Sequence, residues 1–467
     1  MGEWCAKNLK DIQGWKEDGL NTTIVNNDTA KLLDGAIRQL VSLRDCDQLG
    51  GLVKTVTDML HNEPTAVLPR IFSLVLDVLG TNKSWYKNPV FQEKIKQAVK
   101  DTESYGNERE KLHAKALSQL AIGFTTNALY IYESILAQYP NDLMALKFSH
   151  QLYFFSGKAY LMSESVNRIV RKWSKDNIMY SYVLGMQAFG YEETGNYKTA
   201  EKVAEEALTL RKEDCWATHA LSHVYEMTGQ FEKGIEKLEQ TASYWRPCWI
   251  LECHNLWHLA LFYIETGRYE NAMKIYDENI KSCIEKNNSI LDACDASGLL
   301  QRLEFRGYSV GQKRWDDLIP FIVPYSKGHM YPFNYPLMAI AFAHSSDDKL
   351  IRNFVDVDIV QNIPTCGDTS FNISQLSIPL VKSIDDYFKG NYSTCLDRIY
   401  PLRYSLYNVG GSNAQRDIFS QTMITAGLHS KNIWDIKRAK IVLDERRQLF
   451  HWDDKEFTNI LNSKMIV

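Results

Sequence analysis

The stretch GNYKTAEKVAEEAL, Gly195–Leu208, decides how the rest of this 467-residue chain is read. A glycine opens it, Tyr197 follows, and the small residues Ala200 and Ala207 come next. Glycine tolerates the positive φ of a helix C-terminus, so Gly195 reads as the turn between two helices. Ala200 and Ala207 then share one helix face, where a neighbouring helix can approach closely. The pattern recurs as GFTTNALYIYESIL from Gly123, GKAYLMSESVNRIV from Gly157, GQFEKGIEKLEQTA from Gly229 and GRYENAMKIYDENI from Gly267. Successive glycines are 34, 38, 34 and 38 residues apart. Five units in phase predict a helical-hairpin repeat.

A helix–turn–helix unit of 34 residues resembles the tetratricopeptide repeat. Leu112, Ala116, Ala128, Tyr132 and Pro140 fill its characteristic positions in one unit, and Leu184, Ala188, Tyr191, Tyr197, Ala200 and Ala207 do so in another. The regular repeats span residues 109–282, with irregular helical capping repeats over 1–108 and divergent helical repeats over 283–467. A further copy, YFKGNYSTCLDRIYPL, starts at Tyr387. In the flanks, Asp28 is expected to cap a helix over Ala30–Leu43, and Pro64 to open one through Leu79. Ser412 is expected to cap Asn413–Leu428, with Ile433–Phe450 as its partner. Residues 283–375 are the least regular: LDACDASGLLQRLEFRG reads as a helix, followed by the Pro/Gly-rich IVPYSKGHMYPFNYP. The predicted fold is an all-α, tetratricopeptide-like helical-hairpin solenoid of about ten or eleven hairpins, curled into a closed superhelix.

Composition narrows the function classes. The chain is 45% apolar and 24% charged with a net charge of −4, which offers no basic face for nucleic acid. It has no polybasic run for a membrane surface and no apolar run long enough to span one. No apolar stretch of signal-peptide length is present at the start, and Ala6 stands where a myristoylation signal needs Ser or Thr. Nine scattered cysteines predict reduced thiols, and the expected location is cytoplasmic. HExxH, paired CxxC, GxSxG and phosphate-binding glycine motifs are all missing, so no nucleotide cofactor is expected.

Histidines concentrate in two adjacent units. THALSHVYEMTGQFEKG carries His219, His223 and Glu226, and CHNLWHLALFYIETGRYENA carries His254 and His258. Residues i, i+4 and i+7 share a helix face, so each set forms one stripe. The repeat resemblance implies that the first helix of each unit lines the concave face and that all five side chains point into it. His113 and His150 read as core residues, although His113 also occupies a groove position. Cys253 and His254 are adjacent on a helix and do not face each other.

Two chemistries suit four converging imidazoles. One is a transition metal (zinc, iron or manganese) held by His219, His223, His254 and His258, with Glu226 as a base or a further ligand. The other is an anion cradle at positions where peptide-carboxylate-binding members of this repeat class usually carry Lys, Asn and Arg. Mostly uncharged histidines would serve that role weakly near neutral pH.

Over nearly its whole length the chain resembles the tetratricopeptide repeat protein 38 family, through LMALKFSHQLYF at 143–154, the HxxxHxxEM run at 219–227, CHNLWHLALFYIE at 253–265, LDACDASGLLQRLEFRGYSVGQ at 291–312 and GGSNAQRDIF at 410–419. The resemblance draws in Asp292, Asp295 and Arg302, and also Asn413, Gln415, Arg416 and Asp417. Asp295, Arg302, Asn413 and Arg416 are expected to orient a ligand. The plainer alternatives are a solvated salt-bridge face and an inter-repeat staple. Pro69 and Arg70 stand where the family would carry a histidine, which removes an N-terminal imidazole from the site.

Two functions follow as expectations. The first is a metal-binding pocket for a small polar or anionic molecule, serving a metal-dependent hydrolase or oxygenase. The second is a non-enzymatic adaptor that holds a partner peptide in its groove. On either reading His223→Ala is expected to leave the fold intact, because a groove side chain contributes little packing.

Overall fold

The computed structural model describes residues 3–80, 88–327, 331–363 and 366–465, and all its regular structure is helical. Part of the Pro/Gly-rich passage, 328–330, lies outside the described residues. The helices pair into antiparallel hairpins that stack into a tetratricopeptide-like solenoid. The regular units are Glu108–Ala121 with Thr125–Gln138, Leu143–Phe155 with Ala159–Val170, Tyr180–Glu193 with Tyr197–Leu210, and Cys215–Met227 with Phe231–Trp245. Ile250–Glu265 then pairs with a helix from Tyr269 that passes a π-turn at Tyr276–Ile280 and runs to Asn287. The five turn glycines have φ between 67° and 87°, as their placement after a helix requires.

The flanks differ from expectation in detail. Asn26, not Asp28, caps the first long helix, Asn27–Ser42, because its side chain accepts from the amides of Asp28 and Thr29. A helix over Gly51–Asn62 comes next, and the helix expected from Pro64 instead runs Val67–Gly80. Ile290–Phe305 and Ile433–Phe450 are helical as read. Ser412 and Gln415 form a reciprocal capping box at the start of Asn413–His429. Pro336 is accommodated in the first turn of Asn334–His344, where its missing N–H has no partner to lose.

The solenoid closes on itself. Successive turns of the middle repeats meet successive C-terminal segments: the Gly123 turn faces Cys366 and Gly367, Gly157 meets Tyr407, and Gly229 meets Trp452. Between them, the Asn413 amide donates to Glu193 at 3.0 Å and the Tyr197 hydroxyl to the Leu449 carbonyl at 3.3 Å. The N-terminal hairpins close the other side, where the Trp216 indole donates to the Val41 carbonyl at 2.7 Å and the Trp249 amide to the Leu43 carbonyl at 2.8 Å. The concave face of the middle repeats is therefore interior.

Candidate metal centre and adjoining cavity

Asp214 starts the first histidine helix by accepting hydrogen bonds from the Trp216 and Ala217 amides, both at 3.0 Å. His219 and His223 follow one turn apart on Cys215–Met227, and His254 and His258 lie one turn apart on the neighbouring Ile250–Glu265. One nitrogen from each of the four rings falls within a span of 4.8 Å. All four rings are buried, and His223 and His258 are wholly inaccessible. The four rings converge, and the closed superhelix places them in an interior that the chain's own C-terminal helices cover. His223→Ala would therefore open a cavity among packed rings, so the reason for expecting an intact fold, that a groove side chain contributes little packing, does not hold.

Hydrogen bonds orient the rings. His254 Nδ1 lies 2.6 Å from Asp295 Oδ2, and His258 Nδ1 lies 2.7 Å from Glu226 Oε2. A ring that donates Nδ1–H to a carboxylate presents Nε2 as a lone pair, the arrangement of metal-bound histidines. His258 Nε2 is buried with no hydrogen-bond partner among the described residues. His219 Nε2 and His223 Nε2 sit 2.9 Å apart, a contact that requires a shared proton or a cation between them. Burial, reinforced by the neighbouring rings, holds His219, His223 and His258 well below the ordinary histidine pKa, so they stand neutral and competent as ligands.

The other expected site residues are structural partners in this geometry. Glu226 sits at the Nδ1 side of His258, away from the converging nitrogens, and burial pushes its carboxyl up to about 8. It positions a ring; it does not face an open ligand position. Asp295 also accepts from the Gln415 amide at 2.7 Å. Arg302 donates to the carbonyls of Gly298 and Ala414 at 3.0 and 2.8 Å. Arg416 reaches the Gly411 carbonyl, the Asn413 side chain and Glu193. Asp292 is held by Asn287, and burial pushes its carboxyl up to about 8. Asp295, Arg302, Asn413 and Arg416 thus tie helices together around the cluster. His113 is buried against Asp142 at 3.0 Å.

Two carboxylates escaped sequence reasoning. Glu192 lies 3.6 Å and Glu193 3.9 Å from His223 Nδ1, and with that ring they form a second set of candidate metal ligands. Burial raises both carboxyls, and among the described residues neither oxygen of Glu192 has a hydrogen-bond partner. A sequence signal existed: Glu192 precedes its turn glycine by the same offset as Glu226 precedes Gly229.

A cavity of about 110 Å³ adjoins the cluster. His219, His254 and Asp295 form part of its wall, and Phe154, Phe189 and Trp216 form much of the remainder. His223 and His258 lie behind this wall.

The tetratricopeptide repeat family matches residues 254–282. The chain is similar to a protein in the crystal structure of the APC/C hetero-tetramer Cut9–Hcn1, at 12% identity and a TM-score of 0.36, over 90% of this chain and 77% of that one. The protein is a tetratricopeptide-like helical repeat protein. No helix among the described residues is long and apolar enough to cross a membrane.

Proposed function

We propose that this tetratricopeptide-like protein holds a transition metal inside its closed solenoid and presents it to a small polar ligand, and that it falls within the tetratricopeptide repeat protein 38 family. The observation that supports the metal is the span of 4.8 Å across four imidazole nitrogens, with two of the rings oriented by carboxylates. A tetrahedral zinc site with bonds of about 2.0–2.1 Å spaces its donor atoms roughly 3.3 Å apart, so three of the four imidazoles would close on the metal and leave its fourth position to the ligand. All-histidine nitrogen donors suit zinc first, and the acidic set around His223 also suits iron or manganese. Because His219 and His254 border the cavity, hydrolysis or oxygenation of a bound molecule is the reaction class that fits this placement.

The test is the metal content of tag-free protein beside the His223→Gln/His258→Gln double variant. Glutamine keeps most of the side-chain volume, so the variant is expected to fold. Near-stoichiometric metal in the wild type and none in the folded variant supports the reading. No metal in either, after incubation with zinc, iron and manganese, sinks it.

The second reading, an adaptor for a protein partner, is favoured by the repeat match at 254–282 and by the solenoid architecture, which offers extended surfaces to partners. Its groove is not the histidine face, because that face is interior. A partner would meet the outer helices, where Tyr130, Tyr160 and Trp434 are exposed. Loss of a partner on Tyr130→Ala/Tyr160→Ala, with metal content unchanged, would separate the two functions.

A further inference from the structure

The cavity beside the histidines is lined by two buried polar side chains: among the described residues one has no anionic partner and the other no hydrogen bond. Lys147, on Leu143–Phe155, is 3% exposed and lines the cavity. Among the described residues its ammonium has no carboxylate partner and no hydrogen bond, and its Nζ lies 4.1 Å from the centre of the Trp216 ring. Asn334, at the start of Asn334–His344, is 1% exposed and lines the same cavity. Among the described residues, neither its amide nitrogen nor its amide oxygen has a hydrogen-bond partner.

The Trp216 face compensates a buried ammonium only in part, and a cation without a counter-anion beside an unsatisfied amide is costly to bury. Burial also pushes Lys147 down to about 7. A bound anion would remove both defects. Phe154, Phe155, Phe189 and Phe333 give the remaining wall an aromatic part, and Gln151 and Gln415 add polar side chains to it. Ile250, the exposed member of the lining, marks the side that reaches solvent. A cavity of about 110 Å³ is of the order of one that accepts a single benzene ring. Asp295 on the same wall disfavours a second negative charge.

We infer that this cavity binds a small monocarboxylate with an aromatic or branched apolar body, its carboxylate paired with the Lys147 ammonium and hydrogen-bonded by the Asn334 amide. The assignment names the ligand class of the cavity and does not depend on a metal, since neither Lys147 nor Asn334 belongs to the histidine cluster.

The test is saturation-transfer NMR on the full chain with benzoate, phenylacetate and the neutral isostere benzamide, with and without a chelator. The carboxylates are expected to bind, and benzamide to bind at least about tenfold more weakly. Lys147→Met is expected to weaken benzoate by about ten- to a hundredfold while raising the melting temperature, because it removes an unpaired buried charge. Asn334→Leu is expected to weaken benzoate by a smaller factor. The inference is overturned if neither carboxylate binds the wild type, if benzoate and benzamide bind equally, or if Lys147→Met binds benzoate like the wild type. Loss of benzoate on chelation, with no effect of Lys147→Met, would place the carboxylate on the metal and overturn it too. Metal-free protein that still binds benzoate through Lys147 would leave this inference standing and remove only the metal reading.

Discussion

His258 Nδ1 and Glu226 Oε2 are 2.7 Å apart in a site that solvent does not reach, and the carboxyl is pushed up to about 8 by burial. A carboxyl raised in the folded state keeps its proton there after the unfolded chain has lost it. Between the unfolded value and about 8 the folded state binds more protons, so this group's contribution to stability falls as pH rises through that window. Glu226→Gln mimics the protonated form and still accepts from His258. We predict that the variant matches wild-type stability near about pH 4.5 and exceeds it by a few kcal/mol above about pH 8. Urea midpoints across that range check it. Equal loss of stability at both ends would mean that Glu226 is ionised against a protonated His258.

How much of this was legible in the sequence depends on distance along the chain. Gly195 and its four counterparts fix hairpins through local turn chemistry, and the stripes of His219, His223, His254 and His258 follow from helix periodicity and the stacking of neighbouring units. The partners of these residues were not legible. Asn413 and Arg416 meet Glu193 across 220 residues or more, and Gln415 meets Asp295 across 120. No local pattern encodes which segment a superhelix brings back to its own interior. Asp295, Arg302, Asn413 and Arg416 were placed near the cluster from a resemblance, but their pairing with protein groups needed the fold. Lys147 was hidden for another reason: it sits in the otherwise apolar run LMALKF, where a lysine reads as a solvent-facing interruption.

Metal binding should stabilise the folded chain, because the four imidazoles converge only when the two helices are packed. Zinc at about a hundred times its dissociation constant is predicted to add about 2.7 kcal/mol. The expected observation is a melting temperature that rises with zinc and falls on chelation in the wild type. In His223→Gln/His258→Gln it should be flat against both. A wild-type melting temperature indifferent to zinc, iron and manganese would speak against a site.

Arg306 and Arg446 anchor the C-terminal helices through a buried network. Arg306 meets Asp454 at 2.6 Å and Glu265 at 3.1 Å, while Arg446 meets Asp417 at 2.7 Å and Asp454 at 3.0 Å. Removing one partner leaves opposite charges buried without compensation, which typically costs about 3–5 kcal/mol. Arg306→Ala is predicted to destabilise by that amount. Amide hydrogen exchange should rise first in Ile433–Phe450 and Lys455–Met465, the helices held by this network. Uniform loss of protection across the chain would mean that the C-terminal unit does not detach separately.

Gly157 and Gly195 separate the local and the tertiary role of a turn glycine. Both have positive φ, 67° and 79°. A Cβ at Gly195 meets nothing within 4 Å, whereas one at Gly157 would overlap the Tyr407 carbonyl oxygen. Alanine at Gly195 therefore carries only the left-handed backbone cost, about 1–2 kcal/mol. Alanine at Gly157 carries that cost and also drives the 400–409 segment off the middle repeats. Gly157→Ala is predicted to be the more destabilising by at least about 2 kcal/mol in urea unfolding, since backbone atoms in a packed interface give way poorly. It should also loosen the cavity wall, because Phe155 on the same hairpin lines the cavity and its carbonyl packs against Gly410. Benzoate affinity should fall in Gly157→Ala and hold in Gly195→Ala. Equal stability losses in the two variants would show that the C-terminal segment does not rest on the Gly157 turn, and the closed superhelix would have to be redrawn at that contact.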